Sequence, residues 1–569
     1  MCGIAAIWGK GEIEPMTRIL THRGPDEEGF FRDGPVQLGS RRLKVIDLFT
    51  GRQPIRSEDG TCAIVYNGEI FNYRALRAEL EPDYRFATQS DTEVILHAYR
   101  QWGRDCLSRF NGQFAFAIYD GARIFAARDR LGEKPLYWAR NADGFYLASE
   151  IKALLTQVRS APRIDESFWA FDAALAPDTM FDGIYELPPA HLLIYDGQNV
   201  RIERYWEIPK PDPDAPVDED ELVEELQALI TDAVRLRMAA DVPIGLFLSG
   251  GLDSSLMASL ARPNETFICR FPLGPAFDEF AYAEMMAGRI GARVHVVTPT
   301  AADLQRDLET IVWHLDQPIA TASTISEFSL ARRAKEYVTV VLGGQGADEI
   351  FGGYVRYLLM DLEREVGECP ELANYHSLAR FFWRPDLFAD PAARYYHLIH
   401  RAEVADPLRQ IDRIRAYFQA GRSLIDCLGL ADIHLSLPSL ITMNDRAAAA
   451  YGLENRCPFL DHRLVEFAFR LPPHLKVARL GAKIILRRAA HGRIPAAIID
   501  RKDKKGLVVP IQQWLDGPLA GWAKELEQSL AARGLPLPPS AGRGEFDRGR
   551  YSRICLELWF RRFFPGWHA

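Results

Sequence analysis

Pro243-Ile244-Gly245-Leu246-Phe247-Leu248-Ser249-Gly250-Gly251-Leu252-Asp253-Ser254-Ser255 runs from an apolar strand, Pro243 to Leu248, through a Gly/Ser turn into the start of a helix. Small residues in such a turn let the backbone approach a phosphate, and the exposed N–H groups and helix dipole favour its charge. An amphipathic helix precedes the strand, from Glu221 to Met238. Alternating helices and strands follow as far as Val338-Thr339-Val340-Val341-Leu342. That alternation predicts a parallel α/β sheet with its ligands at the strand ends. Residues 355–565 are helical in pattern, with Leu, Tyr and Phe recurring every three to four residues, and Gly534 to Gly544 reads as a loop.

Upstream, Pro209-Lys210-Pro211-Asp212-Pro213-Asp214-Ala215-Pro216 can hold neither a regular helix nor a central strand, so residues 207–218 are expected to be a linker between residues 1–206 and 219–569. The first part reads as short β-type runs separated by Gly/Asn/Asp turns, among them Cys62–Tyr66, Phe114–Tyr119 and Arg123–Ala127. One helix is expected within it, over about 91–103.

A chain of 569 residues, 48% hydrophobic and 25% charged, fits a globular protein of at least two domains. Its formal charge of −9 is modest and no Lys/Arg run stands out, which argues against nucleic acid or an anionic membrane as the main partner. No stretch reaches the ~18–20 uncharged apolar residues of a membrane span, and Lys10, Glu12 and Glu14 come too early for a signal peptide, so a cytoplasmic location is expected. The eight cysteines are scattered, without CxxC or zinc-like spacing.

Cys2 is the exception to defend. Removing Met1 would give one residue a thiol, with a pKa of about 8.5, and an α-amine at about 7.7–8.0 that can take the thiol proton during attack. Alone, a second-position cysteine is an incidental small residue. Asn67-Gly68-Glu69 reads on its own as a hairpin turn, but beside Cys2 its side-chain amide and the Gly68 N–H could stabilise an oxyanion. An amino-acid substrate would also need an Arg for its carboxylate and an Asp or Glu for its ammonium, which Arg42, Asp91 and Glu93 could supply.

The set Met1-Cys2-Gly3-Ile4, His22-Arg23-Gly24-Pro25-Asp26, Asn67-Gly68-Glu69-Ile70-Phe71-Asn72-Tyr73, Ser90-Asp91-Thr92-Glu93-Val94 and Arg128-Asp129-Arg130-Leu131-Gly132-Glu133-Lys134-Pro135 resembles the glutaminase domain of class II amidotransferases. Ser249–Ser255 resembles the pyrophosphate loop of enzymes that cleave ATP to AMP and pyrophosphate. Together with Leu342–Tyr354, Glu454–Asp461 and Gly481–Arg487, it extends the match to the asparagine synthetase family over nearly the whole chain. The resemblance implies an N-terminal nucleophile (Ntn) αββα sandwich, then an α/β PP-loop synthetase domain with a helical C-terminal part.

It further implies that Cys2 attacks glutamine, that Asn67 and Gly68 form the oxyanion hole, and that Arg42, Asn67, Gly68, Glu69 and Asp91 hold the substrate. Ammonia would cross an internal tunnel to an aspartate adenylated by ATP. The ATP contacts would be Leu248, Ser249, Gly250, Gly251, Asp253, Ser254, Ser255, Cys269, Gly343 and Gly344, with Mg²⁺ on Asp253 and Asp348. Lys483 would stabilise the departing pyrophosphate, although outside the motif it reads as a solvated helix lysine. The family often forms dimers.

Two positions depart from the family. Gly343-Gly344-Gln345 stands where Ser-Gly-Glu is common, so the acceptor pocket, for which Gln345, Asp348 and Glu349 are the candidates, leaves open a carboxylic acid other than aspartate. Relatives that form an intramolecular amide are a lesser alternative, since they typically lose the cysteine kept here. Arg270 replaces a usual glycine near the expected adenine position, either as a local salt bridge or as part of a reshaped pocket.

Overall fold

The computed structural model describes residues 1–210, 212, 217–274, 277–368 (backbone only for 365–368), 390–402, 404–419, 422–501, 508–538 and 547–568. Part of the expected linker, part of the 534–544 loop and Cys369 lie outside the described residues.

Two six-stranded antiparallel sheets build the N-terminal part. One has Gly3–Gly9 between Gly144–Ala148 and Val36–Arg42; the other places Ala63–Ile70 beside Gly112–Tyr119. Period-two alternation packs them: Ile4 and Ala6 face Val65, Ala115 and Ala117 between the sheets, while Ala5 and Ile7 face the helix Ile13–Arg18 outside. On the outer face of the second sheet, Tyr66, Phe116 and Phe125 meet Val94 and Leu96 of the helix Asp91–Trp102. The result is the αββα sandwich.

Sequence pattern gives one helix here, whereas the structure has six, the others being Ile13–Arg18, Tyr73–Leu80, Cys106–Arg109, Ile151–Leu154 and Glu166–Phe171. None of these exceeds eight residues, too short for a helical period to separate from strand-like runs.

The second part holds a five-stranded, wholly parallel sheet in the order Arg293–Val297, Glu265–Cys269, Ile244–Phe247, Val340–Leu342, Glu454–Arg456. The chain order reverses between Ile244–Phe247 and Val340–Leu342, and such a switch point opens a crevice at the carboxyl ends of the strands. Both glycine-rich turns leave from there. Helices pack around this sheet, the helix Glu219–Arg237 starting on Asp218, whose side chain accepts from Asp220 N and Glu221 N. Among the described residues no single helix is long and apolar enough to cross a membrane. The bent pair Leu424–Leu435 and Leu437–Ala450 passes by length and composition, yet most of it is buried inside the helical part.

The two parts share an apolar core, in which Phe181 meets Trp559 and Phe564, and are joined through charge as well. Asp316 accepts from the backbone N–H of Ile151 (2.9 Å) and Lys152 (3.2 Å), and Arg23 spans Glu150 (2.8 Å) and Asp445 (2.9 Å). Each of these side chains is almost fully buried, so pairing is what makes their burial tolerable.

Candidate functional sites

Cys2 immediately precedes the strand Gly3–Gly9 in the middle of the first sheet. Its backbone N–H donates to Asn67 Oδ1 at 2.8 Å, and its carbonyl accepts from Arg23 Nε at 2.9 Å. Burial pushes the Cys2 thiol up, against the pull of the nearby terminal amine. Asn67-Gly68-Glu69 is not the turn its sequence suggests: it lies inside the strand Ala63–Ile70, with Gly68 opposite Phe114. Gly68 reconciles the two readings. At φ +146° a side chain is disfavoured, and a Cβ there would sit 2.0 Å from the Gln113 carbonyl oxygen.

Two buried polar atoms here, Asn67 Nδ2 and Glu69 Oε2, have no hydrogen-bond partner, and Arg456 Nη2 has only the Glu69 carboxylate at 3.4 Å. Buried polar groups are almost always satisfied, so such a group of donors and acceptors calls for a polar ligand. Asp91 opens its helix and accepts from the Tyr66 hydroxyl and the Ile70 N–H, both at 2.9 Å. Burial raises its carboxyl to about 6. Burial, then the like charges of Glu454 and Asp91, push Glu69 well above the usual carboxylate range, and Arg456 at 3.4 Å does not offset them. Arg42 gives Nη2 to the carbonyls of Ile46 and Asp47 and Nη1 to Glu27, which also ties down the loop after it.

In the second site the strand Ile244–Phe247 delivers Leu248 and Ser249 to the turn. Gly250 has φ +73°, and a Cβ would meet the Ala283 nitrogen at 2.5 Å. Ser249 and Ser254 share a hydroxyl contact at 3.0 Å. Gly251 leads into the helix Leu252–Ala261 without a side-chain cap, and the Ser255 hydroxyl is buried without a partner. The first-turn N–H groups are left for an incoming anion. Cys269 ends the neighbouring strand Glu265–Cys269, where burial takes its thiol up to about 12, so it serves as a neutral wall.

Lys483 is no solvated helix lysine. It sits at φ +55° just before the helix Ile484–Ala490, 4% exposed. Its Nζ donates to both oxygens of Asp253 (2.8 and 2.7 Å) and reaches Asp348 at 2.7 Å. Gly353 makes room for the cluster, since a Cβ there would lie 1.9 Å from Asp348 Oδ1. Two carboxylates converging on one cationic position is a donor set suited to a hard divalent ion shared with phosphate oxygens.

The three acceptor-pocket candidates separate. Asp348 joins Lys483. Gln345 turns away, its Oε1 accepting from Cys457 Sγ at 3.4 Å and lying against Gly343. Glu349 accepts from the Tyr354 hydroxyl at 2.6 Å in a buried position, where burial, then Asp348, raises its carboxyl to about 7. Arg270 settles as a local ion pair with Asp278, stacked over Phe280 at 4.4 Å.

The strand Glu454–Arg456 ties the two sites together. Glu454 lies 3.5 Å from the Met1 amine and accepts from Arg456 Nε at 2.7 Å, while Cys457, the next residue, touches Gln345. A cavity of about 10 Å³ lies beside Asn455, Cys457, Lys134 and Asn444, room for one water-sized molecule. Sequence reading placed this segment in a family motif without a role. Its signal was visible, since charged residues two apart in a buried strand need a reason.

A glutamine amidotransferase domain model matches residues 1–206. Over 573 residues the chain is 33% identical to asparagine synthetase [glutamine-hydrolyzing] 1 of Bacillus subtilis (strain 168), covering 93% of this chain and 90% of that protein. The third such synthetase of that bacterium is 32% identical, over 88% and 86% of the two chains. An amidase of Gibberella zeae, chry2, is 29% identical over 90% and 87%. With the asparagine synthase model matching residues 225–554 as well, more than half of its length, the chain belongs to the asparagine synthase family.

Proposed function

We propose that this protein is a glutamine-dependent asparagine synthetase, and the group of buried, unpartnered polar atoms beside Cys2 carries the reading. Residues 1–206 act as the glutaminase, 207–218 as the linker and 219–569 as the synthetase. With Met1 removed, the Cys2 amine takes the thiol proton and the thiolate attacks the side-chain amide carbonyl of glutamine. Asn67 Nδ2 and the Gly68 N–H donate to the oxyanion, Arg42 serves the substrate carboxylate, and Asp91 with Glu69 receives its ammonium. The amine returns its proton to the leaving ammonia, and water releases glutamate from the thioester.

Ammonia then follows the wall formed by Asn455 and Cys457. ATP lies along Leu248–Ser255 with Cys269, Gly343 and Gly344, and the aspartate side-chain carboxylate attacks its α-phosphorus. Lys483 stabilises charge on the departing pyrophosphate, and ammonia displaces AMP to leave asparagine. Asp253 and Asp348 would hold Mg²⁺, which when bound offsets polyphosphate charge. The substrates are small molecules, the working place is the cytoplasm and the assembly is a homodimer.

Gln345 favours a second reading, in which the same machinery amidates another carboxylic acid. An amide in place of a carboxylate removes one negative charge beside Cys457 and Asn455, where the nucleophile arrives. Glutamine-supported AMP formation, measured with aspartate against a panel of acids, decides between them. Aspartate-dependent AMP is expected; its absence, with AMP appearing for another acid, sinks the first reading.

A further inference from the structure

A cleft of about 460 Å³ opens between the N-terminal sandwich and the helical part, walled by the residues just before the linker and by the helices around 417–442. Its size matches ligand pockets, and junctions between folded units are where these form. None of its lining residues belongs to either site described above. The helix Leu437–Ala450 separates it from the small cavity near Cys457, turning Ser439 and Thr442 to the cleft and Asn444 to that cavity.

The lining has a definite chemistry. Four arginines and Lys210 face two glutamates, and both glutamates are already paired, Glu186 with Arg128 at 2.5 Å and Glu207 with Arg204 at 2.7 Å. This cationic excess stands out on a chain of net charge −9. Arg422 donates Nη2 to the Ile208 carbonyl at 2.9 Å, and its Nε and Nη1 are buried with no acceptor among the described residues. A guanidinium in that state is matched by a carboxylate or a similar planar anion. Flat surfaces stand beside it: Tyr417 stacks on His434 with ring centroids 4.7 Å apart, and the Trp206 ring is held in place by its N–H bond to Glu466 at 2.8 Å. Leu430 and Ile433 complete an apolar floor.

We propose that this cleft is a second ligand site, binding an aromatic carboxylate whose ring lies among Trp206, Tyr417 and His434 and whose anionic end meets Arg422. The site is separate from those for glutamine, ATP and the acceptor acid.

The test uses the full-length protein and the fluorescent anion 1-anilinonaphthalene-8-sulfonate as probe. Saturable binding at one site per chain is expected, displaced by 1-naphthoate and not by the neutral 1-naphthalenemethanol. Arg422→Gln should weaken the probe by about tenfold or more, as loss of a charged hydrogen bond does. Arg422→Lys should fall between, and Thr442→Trp, which fills the cleft from a half-buried position, should abolish binding with an unchanged melting temperature. Equal probe affinity in Arg422→Gln and wild type, equal displacement by the neutral alcohol, or one-for-one competition by ATP would each overturn the proposal.

Discussion

Asn67→Ala separates the oxyanion hole from everything else the N-terminal site does. In the resting protein the Asn67 Oδ1 accepts from the Cys2 N–H at 2.8 Å, and Nδ2 is buried without a partner. The donor has no bond to give up before reaction, so its stabilisation falls on the transition state. Removing one such donor costs ~10²–10³ in kcat, about 2.7–4 kcal/mol. Losing the Oδ1 contact lowers stability by about 1 kcal/mol as well. Asn67→Asp keeps an oxygen for the Cys2 N–H and still lacks the donor, so it should lose kcat to a similar degree. The assay is glutamate release under saturating glutamine, with ammonia-supported AMP formation in the same preparation as control. A raised KM with kcat held would show that Asn67 only binds ground-state substrate. Loss of the ammonia-supported reaction in step with glutaminase would show that the fold failed instead.

Lys483→Met leaves Asp253 and Asp348 facing each other without their shared ammonium, so AMP formation should fall by ~10²–10³ while glutamate release persists; parallel assays of the two products check this. Asp91 is raised to about 6 by burial, among Tyr66, Glu69, Glu454 and Arg456, and only its ionised form receives the glutamine ammonium. Glutaminase kcat/KM should therefore fall as pH drops through about 6, and a pH profile flat from 8 to 5 would remove Asp91 from binding. Intact mass of active protein should lack Met1, because the Cys2 nitrogen is an amide, and no base, until Met1 leaves.

Strand and turn chemistry made the parallel-sheet half readable. Pro243–Leu248 and Ser249–Gly251 produce the strand and loop that their composition predicts, because local apolar character and small residues suffice there. Asn67–Glu69 was harder, since Asn-Gly signals a turn and only pairing with Gln113 and Phe114, distant in sequence, keeps it in a strand. Lys483 looked helical because residues after it are; it sits at φ +55° with its side chain against Gly353 and between Asp253 and Asp348, all distant in sequence. The side-chain direction of Gln345 was equally hidden. Its position in the loop suggested the acceptor pocket, and contact with Cys457, 112 residues on, turned its amide toward the strand Glu454–Arg456 instead.

Glu454–Arg456 is an edge strand, and a free edge is a row of unpaired backbone groups that proteins normally cover or charge. Here the sandwich covers it, with Lys134 Nζ 3.5 Å from the Asn455 carbonyl and the Met1 amine beside Glu454. Period-two alternation puts Glu454 and Arg456 on one face, so Arg456 serves three buried carboxylates: Glu454 by a hydrogen bond, Glu69 at 3.4 Å and Asp91 through its field. It also donates to the carbonyls of Arg237 and Ala239, both at 2.8 Å. Arg456→Met would fill similar space and leave those carboxylates uncompensated, a loss of ~3–5 kcal/mol when one partner of a buried pair is removed. Glu69 and Asp91 already have raised pKa values that rise further without Arg456, and Glu454, which Arg456 helps hold below the usual carboxylate range against its burial, rises too. A folded-state carboxyl raised above its unfolded value favours the folded state below the unfolded pKa and loses that advantage as pH rises through the folded one. The melting temperature of Arg456→Met should therefore lie well below wild type at pH 8 and close on it at pH 5.5. A deficit of the same size at both values would mean that Arg456 acts through its carbonyl contacts alone, and that charge is not what binds the two halves along this strand.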